Sequence, residues 1–282
     1  MIEALANAQG IEGWLYALTV VLGLMVGSFL NVVIVRIPQR LQWQWHGKAK
    51  GLPKPPGIAG ATSRCPHCRQ SIRWRDNLPL ISFLVLNGRC HWCSGEISRR
   101  YLLVEALCAA LTLIVVWVLG FEWLTLTALA FTWCLIALAV IDLEHFLLPD
   151  CITLPLLTAG LIVSAMGGFT DLISALVGAV AGYGILWAVF QAFRIATGKE
   201  GMGYGDFKLL AALGAWMGWQ MLPLIILLSA GTGAIIGITM LVLKKQERSQ
   251  PVPFGPYLAG GGWLALLWGT DLNRFYLALT GF

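Results

Sequence analysis

The chain is short of charge. Asp, Glu, Lys and Arg make up 12% of its 282 residues, about half the roughly 25% usual in a soluble domain. Hydrophobic types supply 58%, and several runs approach the roughly 20 apolar residues that cross hydrocarbon. An ordinary soluble globule is excluded, and a polytopic membrane protein is expected. Residues 1–10 hold one acid, Glu3, and no Lys or Arg, so the basic region that opens a secretory signal is missing. The first apolar run, Trp14 to Val35, is also too long for a signal core and reads as a retained helix. The chain has no internal repeat and no low-complexity linker. It also lacks a glycine-rich nucleotide fingerprint of the usual spacing. Its net charge of +5 comes with no nucleic-acid recognition motif, so no nucleic acid is expected as a partner.

What charge there is sits unevenly. Twelve of the nineteen Lys and Arg residues fall between Arg36 and Arg100, as expected of a cytoplasmic loop, where basic residues concentrate. Eight candidate membrane segments follow from the apolar runs: 14–35, 101–119, 123–141, 152–166, 172–193, 207–219, 222–243, and 257–268 or beyond. The sixth is too short to span by length alone, so a tilted, broken or partly re-entrant path is expected. With 36–100 inside, the loops 142–151, 194–206 and 244–256 are also cytoplasmic. These loops and their edges carry Arg194, Lys199, Lys208, Lys244, Lys245 and Arg248. The outer connections near Gly120, Gly168 and Gln220 carry no Lys or Arg; only Arg274, in the tail, breaks the rule. Both termini then lie outside. The fold class expected is all-α, with about eight transmembrane helices and a small zinc-clamped cytoplasmic domain between the first and second. The segments are 1–35, a first transmembrane helix; 36–100, a four-cysteine domain; and 101–282, a membrane core.

The clamp rests on Cys65-Pro66-His67-Cys68 and Cys90-His91-Trp92-Cys93. Two C-x2-C pairs supply four thiolates, a tetrahedral set. A loop with few large apolar residues gains from a metal what it lacks in core. Zinc is the expected ion, with iron in a rubredoxin-like site as the rival. His67 and His91 read as exposed knuckle residues. Cys108, Cys134 and Cys151 read as small buried apolar residues.

With only fourteen acids in the chain, those at membrane edges stand out, because an ionisable group there is costly. Asp142 ends the third segment, and Asp206 starts the sixth within Gly203-Tyr204-Gly205-Asp206. The topology places both on the cytoplasmic side at similar depth. From position alone, Asp142 could be an interfacial acid and Asp206 a helix N-cap; Asp150, after Pro149, reads as a cap. The glycines beside Asp206 add what a cap does not need, namely room for another chain to approach. Two carboxylates held close share one proton, and such a pair can hydrolyse a peptide through water without a metal or a covalent intermediate. A proton- or cation-coupled transporter is the alternative from another class, but its acids belong mid-membrane on paired halves. A membrane-anchored zinc module is a second alternative, and it leaves Gly-x-Gly-Asp unexplained.

Several motifs resemble one family along nearly the whole chain. They are Gly27 to Ile34 with Arg36 and Pro38, Ser63 to Cys68, Asn77 to Ser82, Gly88-Arg89-Cys90, Tyr101 to Glu105, Asp142 with Pro149-Asp150, Gly203 to Asp206, and Pro253-Phe254-Gly255-Pro256. Together they resemble the type IV prepilin peptidases, bifunctional leader peptidases and N-methyltransferases of the GxGD aspartyl protease family. That resemblance implies that Asp142 and Asp206 are the catalytic aspartates. The implied substrates are prepilins of type IV pili or pseudopilins of type II secretion, cut after a glycine on the cytoplasmic side of the inner membrane. It also implies S-adenosylmethionine as methyl donor for the new N-terminal residue, at a site sought in the region 36–100 and its span edges. Cys65, Cys68, Cys90 and Cys93 are implied to hold a structural metal apart from peptide hydrolysis.

Overall fold

The computed structural model describes residues 2–58, 63–65, 67–199, 202–243 and 252–280. Pro66 of the first knuckle and Lys244, Lys245 and Arg248 of the charge argument lie outside them. Among the described residues all regular structure is helical, apart from two isolated antiparallel bridges. The helices are α1 (Ile2–Gln42), α2 (Ile81–Val85), α3 (Arg99–Leu119), α4 (Trp123–His145), α5 (Asp150–Ala165), α6 (Leu172–Thr197), α7 (Tyr204–Met217), α8 (Leu222–Val242) and α9 (Gly255–Thr280). Five segments are long and apolar enough to cross a membrane: Gly13–Gly47, Arg99–Leu119, Trp123–His145, Leu172–Thr197 and Trp219–Met240. The expected count of eight spans is therefore not reached by length and composition. α5 is apolar but only 16 residues long, with Pro155 inside it, and α7 has 14 residues. α9 is long but kinked, with Trp268 at φ −129° and ψ 15°.

The chain divides into two compact units, Met1–Trp133 and Cys134–Phe282. In the first, α1 packs on α3 through small residues one helical turn apart. A Cβ on Gly23 would stand 2.6 Å from Ala109 Cα, and one on Gly27 2.8 Å from Glu105 Cα. Glycine there lets the two backbones approach, which is how helices gain packing energy where lipid supplies no hydrophobic drive. The polar segment between them is tied down by side chains of both. Arg36 Nη1 donates to Gly57 O at 2.7 Å, and Leu80 N–H donates to Glu105 Oε2 at 2.9 Å.

In the second unit α7 is the central element. It packs on α5, α6, α8 and α9, and nearly every residue from Asp206 to Met217 is buried. At a rise of about 1.5 Å per residue, α7 is about 21 Å long, short of a bilayer core of about 30 Å. The sequence suggested a tilted, broken or partly re-entrant path; the structure rules out the break, giving an unbroken helix wrapped by longer ones. Gly214 of α7 lies backbone to backbone with Gly178 of α6, and Gly182 meets the Leu210 carbonyl. Trp216 Nε1 donates to Leu156 O at 2.8 Å, and Ser164 Oγ to Ala215 O at 3.1 Å, fixing α5 to the same helix. A Gly214→Val side chain has no space against the Gly178 backbone. It should cost the upper end of the roughly 1–3 kcal/mol typical of overpacking and lower the melting temperature in detergent. An unchanged melt would show that the crossing is looser than described.

Candidate active site

Asp142 lies in the last turn of α4, an otherwise apolar helix. The helix stops four residues later, where Phe146 takes φ 53° and its N–H closes on Asp142 O at 2.9 Å. The chain then turns through Leu148 and Pro149 into α5. Asp142 is only 6% exposed. Its Oδ2 accepts the N–H of Gly255 at 2.9 Å. Gly255 is the first residue of α9, where backbone N–H groups have no partner within the helix and the dipole is positive. Pro256 follows it and has no N–H to offer. A Cβ on Gly255 would stand 2.6 Å from that same Oδ2, so only glycine lets the backbone come this near.

Asp206 is in the first turn of α7 and 7% exposed. It is not the N-cap considered from sequence. Gly203 holds that position, and Asp206 is the third helical residue. Its Oδ1 is buried with no hydrogen-bond partner among the described residues, an uncommon state for a buried polar atom and one that calls for a reason. Asp142 stands near enough for its charge to act on Asp206, so the two groups that the topology argument placed at similar depth are neighbours. Leu148, in the turn after α4, packs against the starts of α7 and α9. A Cβ on Gly205 would stand 2.7 Å from Leu148 Cβ, and one on Gly255 3.2 Å from Leu148 Cδ2. The second glycine of Gly203-Tyr204-Gly205-Asp206 thus makes room for Leu148. Tyr204 and Phe207 stack with each other and with Phe190 of α6, ring centres 5.5–5.7 Å apart, and hold the start of α7.

Neighbouring acids are placed differently. Glu144 is exposed and 3.9 Å from His145. Asp150 is not a cap, as the sequence suggested; Pro149 holds that place. The Asp150 carboxylate takes both its contacts, 2.6 and 2.8 Å, from Lys208 Nζ, pinning the start of α5 to the start of α7. Sequence reading missed this pair because its members are 58 residues apart. It also misses the Gly255 N–H, although Pro253-Phe254-Gly255-Pro256 stands out as a motif.

The four cysteines form a second centre, in the first unit. Their sulfurs all lie within 4.8 Å of one another. Each pair sits in the same turn. Arg69 N–H donates to Cys65 O and Ser94 N–H to Cys90 O, both at 2.9 Å, and Arg69 and Ser94 take φ 59° and 54°. An antiparallel bridge closes each knuckle, Arg64 to Ser71 and Arg89 to Glu96. Backbone N–H groups of Cys93 and Trp92 aim at the Cys90 sulfur and hold its thiol down, at about 7, while desolvation and the neighbouring sulfurs push Cys93 up to about 11, so Cys90 is the readier thiolate of the two. Cys65 Sγ and Cys93 Sγ are 3.8 Å apart, close to the edge of a tetrahedron with metal–sulfur bonds of roughly 2.3 Å and far from a disulfide of about 2.05 Å. The residues fit a four-thiolate ion. His67 and His91 are exposed and stand outside the sulfur set. Cys108 is buried as expected, but Cys134 is only half-buried and Cys151 is exposed. Cys151 lies in the first turn of α5, on the face turned away from the bundle.

An apolar helical membrane protein with two buried aspartates at helix ends and a four-cysteine module is matched by two family models. One describes a bacterial peptidase A24 N-terminal domain and covers residues 21–119; the other describes the type IV leader peptidase family and covers residues 129–238. The chain belongs to the type IV leader peptidase family. It is 51% identical over 274 residues to a prepilin leader peptidase/N-methyltransferase of Aeromonas hydrophila, covering 94% of each chain. Proteins of the same name from Stutzerimonas stutzeri, 53% identical over 91% of this chain and 92% of that one, and from Pseudomonas aeruginosa, 51% identical over 94% of each, are similarly related. No solved structure matches the chain.

Proposed function

We propose that the chain cleaves the basic leader from type IV prepilins or pseudopilins, with Asp142 and Asp206 as the catalytic pair, and N-methylates the residue that cleavage exposes. The observation that carries this reading is the pair itself: two buried carboxylates on separate helices, one oriented by Gly255 N–H and the other with a vacant oxygen. The two share a proton. Asp142, holding a backbone N–H, suits the ionised role; Asp206, whose Oδ1 lacks a donor, suits the protonated one. The ionised carboxylate takes a proton from water as the oxygen attacks the scissile carbonyl, and its partner protonates the carbonyl oxygen. The tetrahedral diol then collapses, the C–N bond breaks, and the proton passes to the leaving amine. Water is consumed, and a leader acid and a new N-terminal amine are released. Burial away from bulk water strengthens each of these contacts.

The basic loop composition supports a cytoplasmic active site in a bacterial inner membrane, where a basic leader emerges from the substrate's hydrophobic helix. The working division is the first helix at 1–35, the four-cysteine domain at 36–100 and the peptidase core at 101–282. The four thiolates hold zinc, which replaces a hydrophobic core in the segment between α1 and α3. A Cys65→Ser, Cys90→Ser variant should lose about one zinc per chain and become more sensitive to proteolysis between Arg36 and Arg100. Retention of the metal would refute the four-thiolate site. S-adenosylmethionine supplies the methyl group for the second reaction. Incubating a purified prepilin with the chain and weighing the product tests both halves together, because leader removal and methylation change the mass by different amounts.

A further inference from the structure

One motif has no use in peptide hydrolysis or in the metal clamp: Asn77-Leu78-Pro79-Leu80-Ile81-Ser82, which leads into α2. That short helix carries apolar side chains on two sides. Phe83 and Leu86 line a cavity inside the first unit, and the Phe83 ring packs on Gly88. Ile81, Leu84 and Val85 are spaced to share the other side of one helical turn. They are 59%, 66% and 73% exposed, and Leu78 before them is exposed too. Single exposed apolar residues need no reason, but four within the eight positions 78–85 mark a face that something covers.

Depth says what covers it. Leu80 N–H donates to Glu105 Oε2 at 2.9 Å, which fixes α2 beside α3. α3 is long and apolar enough to cross a membrane, and it opens at Arg99. Glu105 lies about 9 Å along it, at 1.5 Å per residue. Glu105 is buried, while Leu103 and Leu107, before and after it, are exposed, as lipid-facing residues of a span are. A helical side chain leans toward its own N-terminus, so the bond holds Leu80 near the level where headgroups meet hydrocarbon. Charge agrees with depth. Residues 36–100 hold twelve Lys and Arg against two acids, Asp76 and Glu96. Arg89 and Arg99, which follow α2, are exposed.

We propose that α2 is an interfacial anchor. Leu78, Ile81, Leu84 and Val85 enter the lipid at the membrane surface, and the basic residues that follow meet anionic headgroups. Amphipathic segments bind a bilayer in this way, with the apolar side about 5–10 Å into the boundary. The metal-clamped segment is then held by α1, by α3 and by the bilayer itself. The proposal rests on α3 crossing the membrane and on neither reaction of the proposed function.

Photocrosslinking of the full chain in nanodiscs of phosphatidylethanolamine and phosphatidylglycerol tests it. A benzophenone amino acid replaces Val85, Leu103 or Lys50, one per variant, and intact mass after illumination reads what each has bonded to. Leu103 sets the yield of a lipid-facing position. Lys50 is exposed and lies beyond the end of α1. The segment Gly13–Gly47 that precedes it has 35 residues, about 52 Å of helix, which outreaches a bilayer core of about 30 Å. Val85 should give phospholipid adducts within about threefold of Leu103 and at least about tenfold above Lys50. If the Val85 variant does not melt cooperatively, the same label at Leu84 decides. An adduct with a second copy of the chain would make this face a protein interface, and a yield no higher than that of Lys50 would put it in solvent; either result overturns the proposal.

Discussion

Asp142→Asn and Asp206→Asn should each stop leader cleavage, by about a thousandfold or more, while leaving the chain folded. Asparagine matches aspartate in size and fits where Gly255 N–H meets the side chain, so packing around α4, α7 and Leu148 is preserved. What is lost is the ability to move a proton, and a positioned acid or base contributes about 10²–10⁴ in rate. In the proposed mechanism the two residues act as one unit, so the double variant should be little worse than either single one, as in other catalytic groups that work together. Product mass and melting in detergent separate this outcome from unfolding. Glu144→Gln is the control: this acid is exposed, and its loss should leave cleavage within about twofold of the parent.

Gly255→Ala should also impair cleavage, by about a hundredfold. The added methyl would stand 2.6 Å from Asp142 Oδ2 and 3.2 Å from Leu148 Cδ2, closer than van der Waals contact allows. Either the start of α9 retreats and the N–H bond to Asp142 is lost, or the carboxylate turns away from Asp206. A displacement of about 1 Å at a reacting group is enough for a loss of that order. The defect should fall mainly on kcat, because Gly255 touches the carboxylate and makes no direct contact with a bound leader in the proposed mechanism. A variant that cleaves at the parent rate would mean that Gly255 does not position Asp142. The same reasoning sets this residue apart from glycines such as Gly231 and Gly237, where an added Cβ meets nothing.

Much of the site was legible before the structure. Charge scarcity marked the membrane class, and the asymmetry of Lys and Arg put Asp142 and Asp206 on one side. The C-x2-C spacing marked four candidate ligands that the fold gathers within 4.8 Å. Other features were hidden for physical reasons. α7 looked too short to span and is, at 14 residues; hydropathy reports composition and not neighbours, so the packing of α5, α6, α8 and α9 around it was hidden. Asp150 looked like a cap because Asp after Pro usually begins a helix. Its partner Lys208 is distant in sequence, and no local pattern points to it. Gly255 lies outside both matched family segments, and only the three-dimensional approach of α9 to α4 shows what its N–H does. The transporter alternative loses ground on the same geometry, because both aspartates sit at helix ends and neither lies on a broken helix at mid-span.

The most direct test of the catalytic pair is the mass of a purified prepilin after incubation with the parent chain or with Asp206→Asn in detergent. The parent should return a pilin shortened by its leader and heavier by one methyl group, and Asp206→Asn should return the precursor intact. A shortened pilin from Asp206→Asn at the parent's rate would contradict the account.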